Sequence, residues 1–395
     1  MLKKIRNGIR STFRLDKNLI LLFTVGAIAV IGLQFIQPLF PVFLQSLNAS
    51  EMEISLTLSI SSLAATLLLI PAGYLIDKLG EKKMLLIGIS IWAFSTLLIA
   101  FTKDWRFVAF LYMFHGIADA FVGPSRMTLI SSISTQSSEA TTFGLMSLDW
   151  VIGGTIAPPL SGHLSERYSW HLPLLIASAA FFISIIPLLR LKTGGKRSDP
   201  IENDNVTMGN EEIRFLPAFL YFMFGFLLNS AQSMISTMLP IFLKNQLSLS
   251  TTIIGLFFTT STLIGAITQV PGGLVADKFG KKRVIMLLLL PVPLIYGLWG
   301  SVSAWYGYLV LFALSKGLIG MTGAASLAIV SEVFPEERKG SAFSLWMAGI
   351  RMGSALGPLI GGYLYAVFGN SSPFVGSGVI FALSIPFIYF LKSDV

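Results

Sequence analysis

Of the chain's 395 residues, 54% are apolar and only 12% charged, with a mean hydropathy of +0.75; a soluble domain carries about 25% charged residues, so this is a polytopic membrane protein. It has no cysteine, which excludes disulfides, thiolate chemistry and cysteine-ligated metals. Its net charge of +8 comes from lysines and arginines scattered over short inter-helix loops, and membrane topology accounts for them better than a nucleic-acid surface does.

In chain order, residues 1–17 form a basic arm with Lys3, Lys4, Arg6, Arg10, Arg14 and Lys17, read as a cytoplasmic lead-in lying on anionic lipid. The apolar run after it is too long for a cleaved signal sequence. Runs long enough to span, at about 20 residues, occur at 19–44, 54–76, 84–101, 107–131, 141–164 and 171–191. Six more follow at 215–243, 252–276, 284–302, 306–331, 342–368 and 373–391. The spacing therefore predicts an all-α protein of twelve transmembrane helices, six in 18–192 and six in 214–395. Between them, 193–213 has no apolar period and contains Gly194-Gly195 and Asp199-Pro200, so it reads as a cytoplasmic linker. With both termini and the linker on one side, 21 lysines and arginines lie there, four lie opposite, and three (Arg126, Lys316, Arg351) fall inside helices. That imbalance makes both termini cytoplasmic in a multi-pass protein of the cell membrane.

Two turns repeat. Gly73-Tyr-Leu-Ile-Asp77-Lys78-Leu-Gly80-Glu81-Lys82-Lys83 returns 200 residues later as Gly273-Leu-Val-Ala-Asp277-Lys278-Phe-Gly280-Lys281-Lys282-Arg283, and Pro71 returns as Pro271. The chain is thus two homologous halves. Glycine permits the sharp turn and the lysines hold it on one side of the membrane, while an aspartate in a basic turn needs a partner. The fifth and eleventh runs repeat at the same offset: Gly153, Ala157-Pro158, Ser161-Gly162 against Gly353, Gly357-Pro358, Gly361-Gly362. Small residues every four positions make a stripe on which another helix backbone can lie, and the proline bends the helix beside it.

Twelve helices in two basic-turn repeats resemble the major facilitator superfamily over nearly the whole chain. Gly73, Leu75, Asp77, Lys78, Gly80, Lys82 and Lys83 fit that family's loop signature, and Glu81 departs from it. The resemblance implies that Asp77 and Asp277 bind across the halves when the transporter faces outward, at the helix starts Gly340-Ser341-Ala342 and Thr141-Thr142; the alternative is that both cap local turns. It also implies a gating role for Gly73, Lys78, Gly80, Gly273, Lys278 and Gly280. The stripe of the fifth helix resembles that of the antiporter branches, with Ala157 and Ser161 in place of glycines and Pro159 extra. The fourth helix resembles the family's motif from Gly116 to Pro124, but Tyr112 stands where its arginine belongs, so proton relay by that arginine does not carry over.

In its place are His115 and Asp119, one turn apart, with Arg126 seven residues on. An ionised group at mid-bilayer costs about 2.5–3.5 kcal/mol on insertion scales, so these side chains need a cavity or a partner. Arg126 and Asp149 stand at equal depth on antiparallel helices and are expected to pair, the alternative being separate snorkelling. His115, Asp119, Asp149 and Arg126 are the proton-coupling candidates. Superfamily cavities are lined by the first, fourth, seventh and tenth helices, which implies that Gln34, Gln37, Tyr112, Asn229, Gln232 and Lys316 face substrate. Arg351 is a further substrate-cavity candidate; it and Lys316 have no acid in their own helices, and Asp119 is the favoured partner of Lys316, an anionic substrate the alternative.

The expected function is secondary transport by rocking of the halves, as a monomer and without cofactor or metal; no phosphate loop, metal cluster or nucleophile with a base is visible, so neither ATP hydrolysis nor enzymatic chemistry is expected. Proton-coupled efflux of small amphipathic compounds is the leading reading. A carrier for an organic anion or other polar metabolite, and a membrane sensor or scaffold that does not transport, are the alternatives.

Overall fold

The structure, a computed structural model, describes residues 17–133, 139–192, 215–334 and 339–391. The basic arm before Lys17 and the linker 193–213 lie outside the described residues, as do the side chains of Thr141, Gly340 and Ser341 at the expected aspartate docking sites.

In the N-terminal half α1 (Lys17–Ile36) and the short α2 (Phe40–Ser46) make the first span, and α3 (Glu51–Leu67) with α4 (Leu69–Leu79) makes the second, bent by 49° at their junction. Then come α5 (Glu81–Ala100), α6 (Trp105–Ile133), α7 (Glu139–Met146) with α8 (Leu148–Tyr168), and α9 (His171–Arg190). The C-terminal half holds α10 (Phe215–Leu247) and α11 (Thr251–Phe279), then α12 (Lys281–Leu289) and α13 (Pro291–Gly297), which end in one 3-10 turn. It closes with α14 (Trp305–Ala328), α15 (Val330–Val333), α16 (Lys339–Phe368) and α17 (Ser372–Phe390). These group into twelve spans in two bundles of six. Among the described residues, nine helices are long and apolar enough to cross a membrane and the bent α3–α4 pair makes a tenth. The remaining two spans are the glycine-rich α8 and α16.

The internal repeat is written into the backbone. Left-handed φ values occur in pairs 200 residues apart: Asn48 (64°) with Ser248 (50°), Gly80 (91°) with Gly280 (90°), and Ser169 (92°) with Gly369 (92°). At Gly80 and Gly280 this conformation breaks the helix between spans, where an L side chain would be strained. Ser50 and Ser250 cap α3 and α11 in the same register, each accepting an amide hydrogen bond three residues on. The basic turns also do more than mark topology. Lys82 Nζ donates to the Leu189 and Leu191 carbonyls (3.0 and 2.6 Å) and Lys282 Nζ to the Leu391 carbonyl (2.9 Å), so each turn ties down the free C-terminal carbonyls of the last helix in its half.

Each half packs around its own core, α1 on α8 and α9 in one and α10 on α16 and α17 in the other. The halves meet along two seams, α8 on α11 and α3 on α16. Glycines make both seams possible. A β-carbon at Gly162 would collide with the Thr251 backbone, one at Gly255 with Pro158, one at Gly154 with Thr262, and one at Gly362 with Ser55. The other stripe glycines pack within a half: Gly153 on Val30 and Ile31, and Gly353, Gly357 and Gly361 on α10. Ser50 and Ser250 start α3 and α11 at the face away from the basic turns, and that far face is where the seams are closed. Toward the basic turns, among the described residues, α4 packs chiefly on neighbours in its own half, namely α3, α5 and α6.

Candidate functional site

Between the halves lie three adjoining compartments of about 390, 580 and 400 Å³, which share lining residues. Gln37 and Asp119 link the first to the third, Asn229 and Gln232 the second to the third, and Ser147 and Trp150 the first to the second. The wall draws on more helices than the four that the family resemblance implies. Ser61 of α3, Trp150 of α8, Thr262 and Gln269 of α11, and Arg351 and Pro358 of α16 all reach it. The reason is geometric: the seam helices part just past Thr262, so their diverging ends become wall.

Gln37, Tyr112, Asn229, Gln232, Lys316 and Arg351 line the cavity as expected. Gln34 does not; it is buried in its own half and absent from the cavity wall. His115 is also displaced from its expected place. It is 3% exposed, its Nε2 lies 3.0 Å from Thr96 Oγ1, its carbonyl accepts from Trp92 Nε1, and its ring stacks on Tyr112. Four residues turn a helix by about 400°, so His115 and Asp119 point about 40° apart. That difference sends the histidine into the core against α5 and leaves Asp119 at the cavity.

The charge partners are also rearranged. Arg126 donates to Asp149, as equal depth on antiparallel helices suggests, and to the Met146 carbonyl at 3.0 Å. Asp149 is 1% exposed and Arg126 23%. The β-carbon position at Gly26 abuts both groups, so α1 closes over the pair. Asp119, however, does not serve Lys316. The cation acting on it is Arg351 from α16, in the wall of the same compartment. Lys316 lines the neighbouring compartment, with its ammonium 5.3 Å from the Phe312 ring centroid and no acid or hydrogen-bond acceptor among the described residues. The pairing of Lys316 with Asp119 is thus corrected: they sit in separate compartments, and the cation that shares a compartment with Asp119 is Arg351 of the other half, without a direct ion pair.

At the far face a residue that the sequence reading passed over closes the α8–α11 seam. Glu166, at the end of α8, accepts from the Thr252 amide (3.1 Å), the Thr252 hydroxyl (2.8 Å) and the Thr251 hydroxyl (2.9 Å). The free amides and positive dipole end of α11 favour a carboxylate there. Burial opposes ionisation of Glu166, but the hydrogen bonds from Thr252, Thr251 and Ser250 outweigh it and hold its carboxyl below the usual glutamate range. Its sequence signal is an acid one turn past Gly162, at the level of the polar start of the eighth run. At the opposite face Asp77 and Asp277 are exposed and make no hydrogen bond or ion pair among the described residues. Neither caps its local turn in this arrangement.

The Major Facilitator Superfamily model matches residues 22–244 and 221–395. Multidrug resistance protein 1 of Bacillus subtilis is 24% identical over 373 residues, covering 93% of this chain and 94% of its own. Quinolone resistance protein NorA of Staphylococcus aureus is 24% identical over 378 residues, covering 93% and 95%. Among solved structures, a bacterial homolog of the human lysosomal transporter Spinster, in an inward-facing and occupied conformation, superposes with a TM-score of 0.78 at 13% identity, covering 94% of this chain and 96% of that one.

Two outcomes follow from this geometry. Arg126→Gln or Asp149→Asn alone leaves a charge without its partner. Breaking a buried pair costs about 3–5 kcal/mol, and the partial exposure of Arg126 puts this one at the low end. In a thermal-melting cycle the double variant should recover most of the loss; additive losses would show that the two act independently. For Glu166, a depressed carboxyl stabilises the closed far face at pH above about 4.5, the ordinary value, and that stabilisation is lost as pH falls through the depressed one. Spin labels on Lys103→Cys and Lys244→Cys should report the closed population falling about two- to fivefold on acidification, the range of an exposed charge contact. Glu166→Gln should show the fall already at neutral pH and no further acid response.

Proposed function

The chain belongs to the Major Facilitator Superfamily, and on that premise we propose that it exports small amphipathic molecules by alternating access, driven by protons carried on Asp119. The observation that supports this best is the cavity between the halves, closed at the far face by Glu166 on the start of α11 and carrying Asp119 and Arg351 in one wall. The excess of lysine and arginine at the basic-turn face puts that face in the cytoplasm, so the arrangement described is inward-facing. Both termini are then cytoplasmic, in the cell membrane, and each monomer has a complete path.

In the opposite arrangement the α8–α11 and α3–α16 seams part. Asp77 and Asp277, exposed here, then dock at the starts of α16 and α7 in the other half, where free amide groups attract a carboxylate. Charged Asp119 attracts Arg351 across the halves, and a proton on Asp119 removes that attraction, which links protonation to the position of α16. The other groups in that wall are Tyr112, on the same helix as Asp119, and the Arg126–Asp149 pair, which is already satisfied; Lys316 faces the next compartment. His115, turned into the core, takes no part. The two drug-resistance relatives support export over uptake and amphipathic compounds over sugars or ions.

The test uses proteoliposomes and a fluorescent quinolone. Asp119→Asn should reduce accumulation driven by a pH gradient to background, while exchange down a quinolone gradient continues. Uphill accumulation that persists in this variant would remove Asp119 as the proton carrier.

A further inference from the structure

Three cations stand inside the spans. Arg126 is ion-paired with Asp149, and Arg351 shares a compartment with Asp119, on which it acts through space without a direct ion pair. Lys316 has neither an acid nor a hydrogen-bond acceptor among the described residues. Its one favourable contact is with the Phe312 ring 5.3 Å away, and a cation–π contact of this kind offsets only part of the cost of a lysine at mid-span. Lipid does not surround the side chain; it lines the largest of the three compartments. The same wall carries the amides of Asn229, Gln232 and Gln269 and contains no carboxylate.

We infer that, within the transport reading above, the compartment around Lys316 receives the monoanionic group of an amphipathic substrate, a carboxylate or comparable oxyanion. The ammonium supplies the charge, and the amide N–H groups of Asn229 and Gln232 supply neutral donors beside it. Trp150 lines both this compartment and the neighbouring one, whose wall is mostly aliphatic with Trp92. An amphipath with its anionic end at Lys316 therefore lays its apolar body past Trp150 and along α1. Charge balance agrees: three cations against two acids leave the empty path with one positive charge in excess. A lipophilic cation meets that excess as repulsion, and an anion cancels it. A single flexible ammonium also suits a ligand that must leave, since it lacks the fixed two-pronged geometry of a guanidinium.

The experiment compares three probes with one ring system and three headgroups: 1-naphthylacetate, neutral 1-naphthaleneacetamide and cationic 2-(1-naphthyl)ethylammonium. Binding is read at pH 7 by tryptophan quenching on the purified full-length protein, wild type, Lys316→Gln and Lys316→Arg. Lys316→Gln removes an uncompensated charge, so it should melt no lower than wild type. Wild type should bind the anion about tenfold more tightly than the amide, a difference of about 1.4 kcal/mol. Lys316→Gln should erase that difference and Lys316→Arg should keep most of it. Equal binding of anion and amide, preference for the cation, binding of none of the three, or an anion preference that survives Lys316→Gln would each overturn the inference. Quinolone uptake measured on the same preparations separates this site from the transport reading. Proton-driven uptake without any anion preference would leave the exporter standing and remove the anion site, and anion preference without uptake would do the reverse.

Discussion

Backbone meets backbone where the two halves touch, and the rest of the arrangement depends on that contact. Helices whose facing positions carry side chains pack about 8–10 Å apart; glycine lets them come closer. Gly154, Gly162 and Gly255 bring α8 onto α11, and Gly362 brings α16 onto α3, each against main-chain or short side-chain atoms of the opposite half. Because these positions lie toward the far face, the halves close there and diverge toward the basic turns, which places the cavity and decides which of its groups water can reach. Glu166 adds a charged contact to the same seam, at the first turn of α11.

Electrostatics then sorts the polar groups of the interior. A charge inside a span either finds an opposite charge or faces a polar space. Arg126 and Asp149 settle the matter within one half, beneath α1. Asp119 and Arg351 face one compartment from opposite halves, so their attraction depends on how the halves sit. Lys316 is left to the cavity. The basic turns serve a further purpose, since Lys82 and Lys282 hold the last helix of each bundle by its terminal carbonyls.

Much of this was legible in the residues alone, for physical reasons. A bilayer demands about 20 apolar residues per crossing, so spans and the two-half repeat could be read directly. The pairing of Arg126 with Asp149 followed from counting residues inward from one short turn, because two adjacent antiparallel helices share a depth scale. Depth on one helix says nothing about facing, and that is where His115 and Gln34 were misplaced: a rotation of about 40° moves a side chain from cavity to core. Lys316 and Asp119 stand on the repeat-related tenth and fourth spans, but symmetry relates positions without bringing them into contact. Arg351 prevailed because α16 forms a seam with the opposite half and carries its charge across. Glu166 was overlooked because the charge pattern was read for topology, in which an acid carries little weight, while its role depends on a seam that only the fold reveals.

Alternating access is tested most directly by asking from which side the cavity can be reached. The chain has no native cysteine, so Gln37→Cys reports on the cavity and Glu166→Cys with Thr252→Cys locks the far face by oxidation. An impermeant thiol reagent is applied to either side of sealed, oriented vesicles, and modification is read on the peptide containing position 37. With the lock closed, the cavity thiol should react from the basic-turn side alone, and reduction of the lock should open reaction from the far side. Reaction from the far side while the lock is intact, or none from that side after reduction, would contradict a cavity served alternately by two gates.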